Sequence, residues 1–251
     1  MESIKLLSNE RLDEVNENLK LIQKTDGLTF GTDAFLLASF IKSAPSKKGV
    51  ELGSGTGIIS LLLAERKKLS KIIAVEIQEE FATLTQRNVS LNKLDSVISV
   101  LNTDVAKLSY DDINGEADVI FCNPPYMKAD SGKRNLSTSK YIARHEVCGD
   151  INSFCKAGFR LLKHGGKFYV VWRPDRVCDL FYALRSNRLE PKIITFVHAD
   201  ALTEPSIVLV SATKGGSSGA TVTAPLILYE DTAHTAMSER ANRIYETLSF
   251  E

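Results

Sequence analysis

Eight residues, Val50-Glu51-Leu52-Gly53-Ser54-Gly55-Thr56-Gly57, constrain this chain more than any others. An apolar run, Gly49 to Leu52, leads into three alternating glycines, and an apolar helical pattern from Ile58 to Lys68 follows at once. Glycine tolerates positive φ and lets backbone approach a bound molecule where a side chain would collide. A strand, a glycine turn and a helix in that order make the first unit of a parallel α/β sheet.

The remaining chain keeps the alternation. Apolar, β-branched runs at Lys71 to Ile77, Val97 to Leu101, Ala117 to Cys122 and Lys167 to Trp172 predict four more strands. Helical patterns at Glu79 to Asn92, Ile151 to Leu162 and Val177 to Asn187 separate most of them. Lys192 to Val197 and Ser206 to Ala212 have no helix between them, so they predict an antiparallel pair at one edge. The expected fold is α/β: a doubly wound, mostly parallel seven-stranded sheet with that antiparallel edge pair. Residues 49–214 form its domain. Residues 1–48 are an N-terminal arm ending in a loop and helix, Thr25 to Phe40, with Thr32 or Asp33 as N-cap. Residues 215–251 are a Gly/Ser linker and a C-terminal arm, with a short apolar run (Leu226 to Tyr229) and a polar helical tail.

Charge narrows the partners. The 31 basic residues balance 31 acidic ones, which argues against indiscriminate nucleic-acid binding. The window Lys128 to Lys192 nevertheless holds 14 basic and 6 acidic residues, a net of +8. That implies either one basic face or a set of solvated helices rich in lysine and arginine. Cys122, Cys148, Cys155 and Cys178 show no CxxC pair and no histidine at ligand spacing, so no metal site or disulfide framework is expected. No run reaches the roughly 18 apolar residues of a membrane helix, and Met1 to Leu7 has no leader character. A cytoplasmic protein with no membrane partner is expected.

The glycine spacing is G-x-G-x-G with Glu51 two residues ahead, unlike the G-x-G-x-x-G of nicotinamide enzymes. It resembles the S-adenosyl-L-methionine loop of class I methyltransferases, and carries Glu51, Gly53, Gly55 and Gly57 into a cofactor site. Glu76 ends the second predicted strand, 19 residues after Gly57, where a carboxylate accepts hydrogen bonds from both hydroxyls of a ribose. Asp104 follows the third, either as acceptor for an adenine amine or as a solvated loop residue.

The fourth predicted strand runs directly into Asn123-Pro124-Pro125-Tyr126. In an open α/β sheet its tip lies beside the first strand's tip, across the crevice where the strand order reverses. An aromatic amine is a poor nucleophile because its lone pair is delocalised into the ring. Two acceptors aimed at its hydrogens, the Asn123 side-chain oxygen and the Pro124 carbonyl, hold the nitrogen toward the methyl donor. Consecutive prolines fix φ and supply no N–H, so the turn presents acceptors without competing donors. Tyr126 supplies a face for a flat base, with stacking worth roughly 1–3 kcal/mol. No general base is required, because carbonyl dipoles stabilise the charge that builds on the amine and the proton leaves afterwards.

Residues 50 to 126 resemble the class I amino-methyltransferases that carry an Asn-Pro-Pro-Tyr motif. That group acts on adenine in DNA and RNA, guanine in ribosomal RNA and glutamine in release factors. Phe30-Gly31-Thr32-Asp33-Ala34-Phe35-Leu36-Leu37 resembles the cofactor-covering loop-helix of the bacterial tRNA(Val) adenine-N6-methyltransferase family, which adds Gly31, Asp33 and Asn123 to the cofactor site. Ala143-Arg144-His145-Glu146, Glu204 to Val210, Lys214-Gly215-Gly216 and Ala224-Pro225-Leu226-Ile227 are similar to that family too, so the likeness spans nearly the whole chain. It implies methyl transfer to the exocyclic amine of the tRNA adenosine just 3′ of the anticodon, with Asn123, Pro124 and Tyr126 as the catalytic group. Lys133, Arg134 and Arg144 then grip RNA phosphates around a flipped nucleotide. Arg144 paired with Glu146 is the structural alternative, and His145 reads as packing or a cap. Three other functions stay open: a glutamine methyltransferase of a translation factor, a guanine methyltransferase of ribosomal RNA, and an RNA-binding protein without catalysis. The 48 residues before the sheet leave little room for the separate helical domain of a dedicated glutamine enzyme.

Overall fold

A computed structural model describes residues 6–25, 31–124 and 151–250. The chain begins with a hairpin, β1 (Glu10–Asn16) and β2 (Leu19–Lys24), and then α1 (Thr32–Phe40). Strand and helix alternate through β3 (Ala44–Leu52), α2 (Ile58–Glu65), β4 (Leu69–Glu76), α3 (Glu79–Leu91) and β5 (Ile98–Asn102), and β6 (Ala117–Cys122) follows β5 with no helix between. Past residue 150 come α4 (Ile151–Leu161), β7 (Leu162–Trp172), α5 (Val177–Ser186), β8 (Leu189–His198) and β9 (Pro205–Lys214). Two-residue strands β10 (Thr221–Val222) and β11 (Leu226–Ile227) precede α6 (Glu239–Thr247).

The sheet runs β5-β4-β3-β6-β7-β9-β8. All neighbours are parallel except at β9, which pairs antiparallel with both β7 and β8. The strand order reverses between β3 and β6, so the ligand crevice opens at their C-terminal tips. Period-two alternation divides the apolar side chains between two layers. Val119 and Phe121 of β6 face a layer with α1, α2 and α6, while Ile120 and Cys122 face α4 and α5. Helices therefore cover both faces, as a mostly parallel sheet of buried strands demands.

The count of seven strands needs correction to nine. β10 and β11 pair with β8 in parallel, Thr221 against Ile193 and Leu226 against Val197. They cover an edge that would otherwise present unpaired backbone groups. Pro225, between them, has no N–H to give to the ladder. Two-residue strands carry no readable period, so the sequence shows them only as an apolar patch in a tail.

The N-terminal arm is a hairpin, held by helix side chains in place of a third strand. Asn88 of α3 accepts from the Ile22 N–H at 2.7 Å and donates to Ile22 O at 3.1 Å. Asn92 does the same for Lys20, at 2.9 and 2.7 Å. Four helical residues rise about 6 Å and two strand residues about 6.6 Å, so asparagines at that spacing match alternate strand residues. Asn88 also donates to Thr56 O at 3.0 Å, which ties the hairpin to the glycine turn.

The cap of α1 also differs from expectation. Gly31 is the N-cap, in extended conformation, and no side chain caps the helix. Asp33 Oδ1 takes the Ala34 N–H at 2.8 Å while Oδ2 reaches across to β6, so Asp33 does not close its own helix. The C-terminal arm returns to the same helix, with the rings of Phe35 and Tyr245 stacked 4.3 Å apart at 9°.

Candidate active site

The glycine turn sits at the tips of β3 and β4. Gly53, Gly55 and Gly57 have φ of +73°, +56° and +80°, all left-handed. Two of them serve different ends. A Cβ on Gly57 would lie 2.7 Å from Thr85 Cγ2, so the glycine lets the turn lie against α3. A Cβ on Gly55 would meet nothing within 4 Å, so that glycine faces open space. Its N–H donates to Glu76 Oε2 at 2.9 Å, and its carbonyl accepts from the Thr85 hydroxyl at 2.7 Å. Beside it, the buried Ser54 hydroxyl has no hydrogen-bond partner among the described residues. A buried hydroxyl left unpaired costs free energy, and a polar ligand in the turn relieves that cost. The glycine turn fits a small polar ligand such as S-adenosyl-L-methionine on that ground.

Glu76 ends β4 as expected, with its other oxygen accepting from the Gln78 N–H at 2.9 Å. The Asn102 amide braces this strand end by donating to Glu76 O at 2.8 Å and Ile77 O at 3.1 Å. The sequence reading passed over Asn102, because an asparagine at a strand end has no distinctive local signal. Asp104 stands two residues on, half-buried, with Oδ1 accepting from the Ala106 N–H at 2.8 Å.

Glu51 lies beneath the turn. It is 1% exposed, and its Oε2 accepts from the Ser60 N–H at 3.1 Å and from the Ser60 hydroxyl. A carboxyl here meets the first turn of α2 from below and supports the glycines through the helix. Burial, reinforced by the nearby Glu76 charge, pushes its pKa up to about 8 although Ser60 pulls the other way. The folded pKa thus exceeds the usual value of 4.5, and folding takes up a proton between those limits. Stability from this group is full below pH 4.5 and is lost as pH rises through 8. Glu51→Gln, which mimics the protonated carboxyl, is expected to flatten the decline in melting temperature from pH 6 to 9. Parallel melting curves for the two proteins over that range would overturn the assignment.

Asn123 follows β6, and its Nδ2 donates to Asp33 Oδ2 at 2.9 Å. A carboxylate only accepts hydrogen bonds, so it fixes which end of the amide faces it. Oδ1 is thereby turned away from α1. Ninety positions separate the partners, and no local pattern predicts the pair. Gly31 and Asp33 come to the crevice with this helix, and Pro124 follows Asn123, buried. Tyr126, Lys133, Arg134 and Arg144 lie outside the described residues.

The basic window resolves differently on its two sides of the sheet. Lys163 pairs with Asp118, Arg185 with Glu190, and Lys192 donates to Ser217 O and Gly219 O. Lys163 and Lys192 belong to the N-terminal parts of β7 and β8, and Arg185 to the last turn of α5 just before β8, all away from the crevice. Arg160 is bound to the carbonyls of Val105, Ala106 and Leu108. Arg173 and Arg176 follow the C-terminal end of β7, on the crevice side.

Comparison with known proteins agrees with this geometry. Residues 24–180 match the family model described as methyltransferase small domain. The tRNA1(Val) (adenine(37)-N6)-methyltransferase of Phocaeicola vulgatus is 29% identical over 185 residues, covering 72% of this chain and 75% of that one. The enzyme of the same name from Vibrio vulnificus is 30% identical over 129 residues, 51% of this chain and 52% of its own. Among solved structures, a predicted O-methyltransferase from Agrobacterium tumefaciens superposes with a TM-score of 0.70 at 23% identity, covering 88% of this chain and 98% of that one.

Proposed function

The chain belongs to the methyltransferase small domain family, and we propose that it methylates the exocyclic amine of an adenosine in tRNA, next to the anticodon. The observation that carries this reading is the hydrogen bond from Asn123 to Asp33 at the tip of β6. It turns the amide nitrogen toward α1 and the oxygen away from it, at the tip of the strand that neighbours β3 and its glycine turn. Relatives named as tRNA1(Val) (adenine(37)-N6)-methyltransferases support adenosine in tRNA as the acceptor.

When bound, S-adenosyl-L-methionine supplies an electrophilic methyl group on a sulfonium. Gly53, Gly55 and Gly57 form its cradle, Glu76 and Asp104 accept from its nucleoside, and Gly31 and Asp33 border it from α1. Glu51 holds the cradle through Ser60. Asn123 Oδ1 and the Pro124 carbonyl accept from the two amine hydrogens, which localises the nitrogen lone pair and fixes its direction. As positive charge grows on that nitrogen, the same two dipoles stabilise it. Tyr126 stacks on the base, and Lys133, Arg134 and Arg144 hold RNA phosphates. Among the described residues no helix is long and apolar enough to cross a membrane, which suits a protein that meets tRNA in the cytoplasm.

The test supplies cofactor labelled in its methyl group with bulk tRNA, ribosomal RNA, DNA and a release factor in parallel. Label on tRNA adenosine is expected. Label on glutamine or guanosine, with none on tRNA adenosine, would overturn the substrate and leave the family standing.

A further inference from the structure

The C-terminal arm ends against the helix that carries Asp33. That helix, α1, has 9 residues, fewer than the roughly 12–15 at which an isolated helix becomes even marginal, so packing must hold it. The packing is uneven along its length. Ala34 and every residue from Leu36 to Phe40 are buried, whereas Thr32 is exposed and Asp33 and Phe35 are half-buried. The first turn also lacks a side-chain cap, and the Phe35 N–H reaches Gly31 O only at 3.5 Å. Asp33 belongs to that weakly held turn, and its 2.9 Å bond orients Asn123.

Tyr245 of α6 meets the same turn. Its ring stacks on Phe35 with centroids 4.3 Å apart at 9°, a contact of the kind that fixes aromatic pairs in one geometry. Burial raises the pKa of its hydroxyl, and the Thr32 side chain beside it pulls the other way. The side chain therefore meets positions on both sides of Asp33.

The helix that presents Tyr245 is anchored independently of it. Ala241, Ile244 and Leu248 are buried at helical spacing, as one apolar face. At its start Ser238 accepts from the Ala241 N–H at 3.1 Å, while its own hydroxyl donates to Ile227 O at 2.6 Å and its N–H to Leu228 O at 2.8 Å. At the other end Arg66 donates to Glu246 O at 3.2 Å, and the Phe250 ring stands edge-on to Phe40 at 5.5 Å and 77°. A change at Tyr245 thus alters the contact with α1 and leaves both ends of α6 in place.

We infer that Tyr245 is a positioning residue for methyl transfer, holding the first turn of α1 so that Asp33 keeps the Asn123 amide in its orientation. The inference rests on Asn123 being the amine acceptor proposed above. It gives the C-terminal arm a part in turnover that does not require the arm to touch RNA.

The test measures turnover of the full chain on tRNA, with tRNA KM, cofactor affinity and melting temperature alongside. Tyr245→Leu removes the stack and keeps apolar bulk. It should lower kcat by a factor of about 10 to 10², as a small displacement of an oriented group does, with KM and cofactor affinity within severalfold of wild type. Tyr245→Phe keeps the stack and should recover most of the rate. In an Asn123→Ala background Tyr245→Leu should have no further effect, because it acts through that amide. A general loosening of the fold would instead lower the rate equally in both backgrounds. Phe35→Leu removes the other ring of the stack and carries the same expectations should Tyr245→Leu fail to fold. Wild-type kcat without the stack, a loss confined to KM, no recovery in Tyr245→Phe, or an equal loss in both backgrounds overturns the inference while the role of Asn123 stands. Near-normal turnover in Asn123→Ala overturns that role, and this inference with it.

Discussion

Replacing Gly55 by leucine should abolish cofactor binding measured by calorimetry and leave a folded protein with a cooperative melt. The structure makes this substitution informative because a Cβ at Gly55 meets nothing within 4 Å, so the protein itself has room for it. The strain of a left-handed φ of +56° in an L-residue is about 1–2 kcal/mol, small beside a typical folding stability of roughly 5–15 kcal/mol. The new side chain instead projects into the space above the turn, where the ligand would lie. Gly57→Leu provides the contrast. Its Cβ would strike Thr85 at 2.7 Å, so it should damage folding first and binding only as a consequence. Normal cofactor affinity in Gly55→Leu would place the ligand elsewhere.

Asn123→Ala should keep cofactor affinity within severalfold and lower turnover by a factor on the order of 10² to 10³, as expected for loss of one oriented polar group at a reacting centre. The separation follows from the geometry. Asn123 leaves the end of β6, whereas the glycine turn and Glu76 belong to β3 and β4. Alanine removes the proposed amine acceptor and also the 2.9 Å bond to Asp33, without touching the glycine turn. Equilibrium binding and single-turnover rates on tRNA distinguish the two effects. Near-normal turnover in Asn123→Ala would show that the amine is not polarised by this group.

The Glu51 carboxyl shows how far a motif can be read. The sequence placed it two residues before the glycines and in the cofactor site, and its position in the chain was legible. What it touches was not. Only the folded structure shows that it is buried and bound to Ser60, and so supports the turn from below.

The local order of strand, glycine turn and helix, the seven main strands and the acidic residues at strand tips were all determined by sequence alone. Each depends on neighbours in the chain: periodicity, glycine φ and proline chemistry act within a few residues. The motif proposed to hold the amine belongs with them, because Asn123 and Pro124 are adjacent. Tertiary structure decided the rest. The edge strands β10 and β11 exist because β8 offers unpaired backbone, and β2 is held by Asn88 and Asn92 from a helix more than 60 residues away. The orientation of Asn123 is set by Asp33, 90 residues earlier. A pairing between groups so distant in sequence has no periodic trace, because nothing but packing of the completed sheet brings them within hydrogen-bond reach.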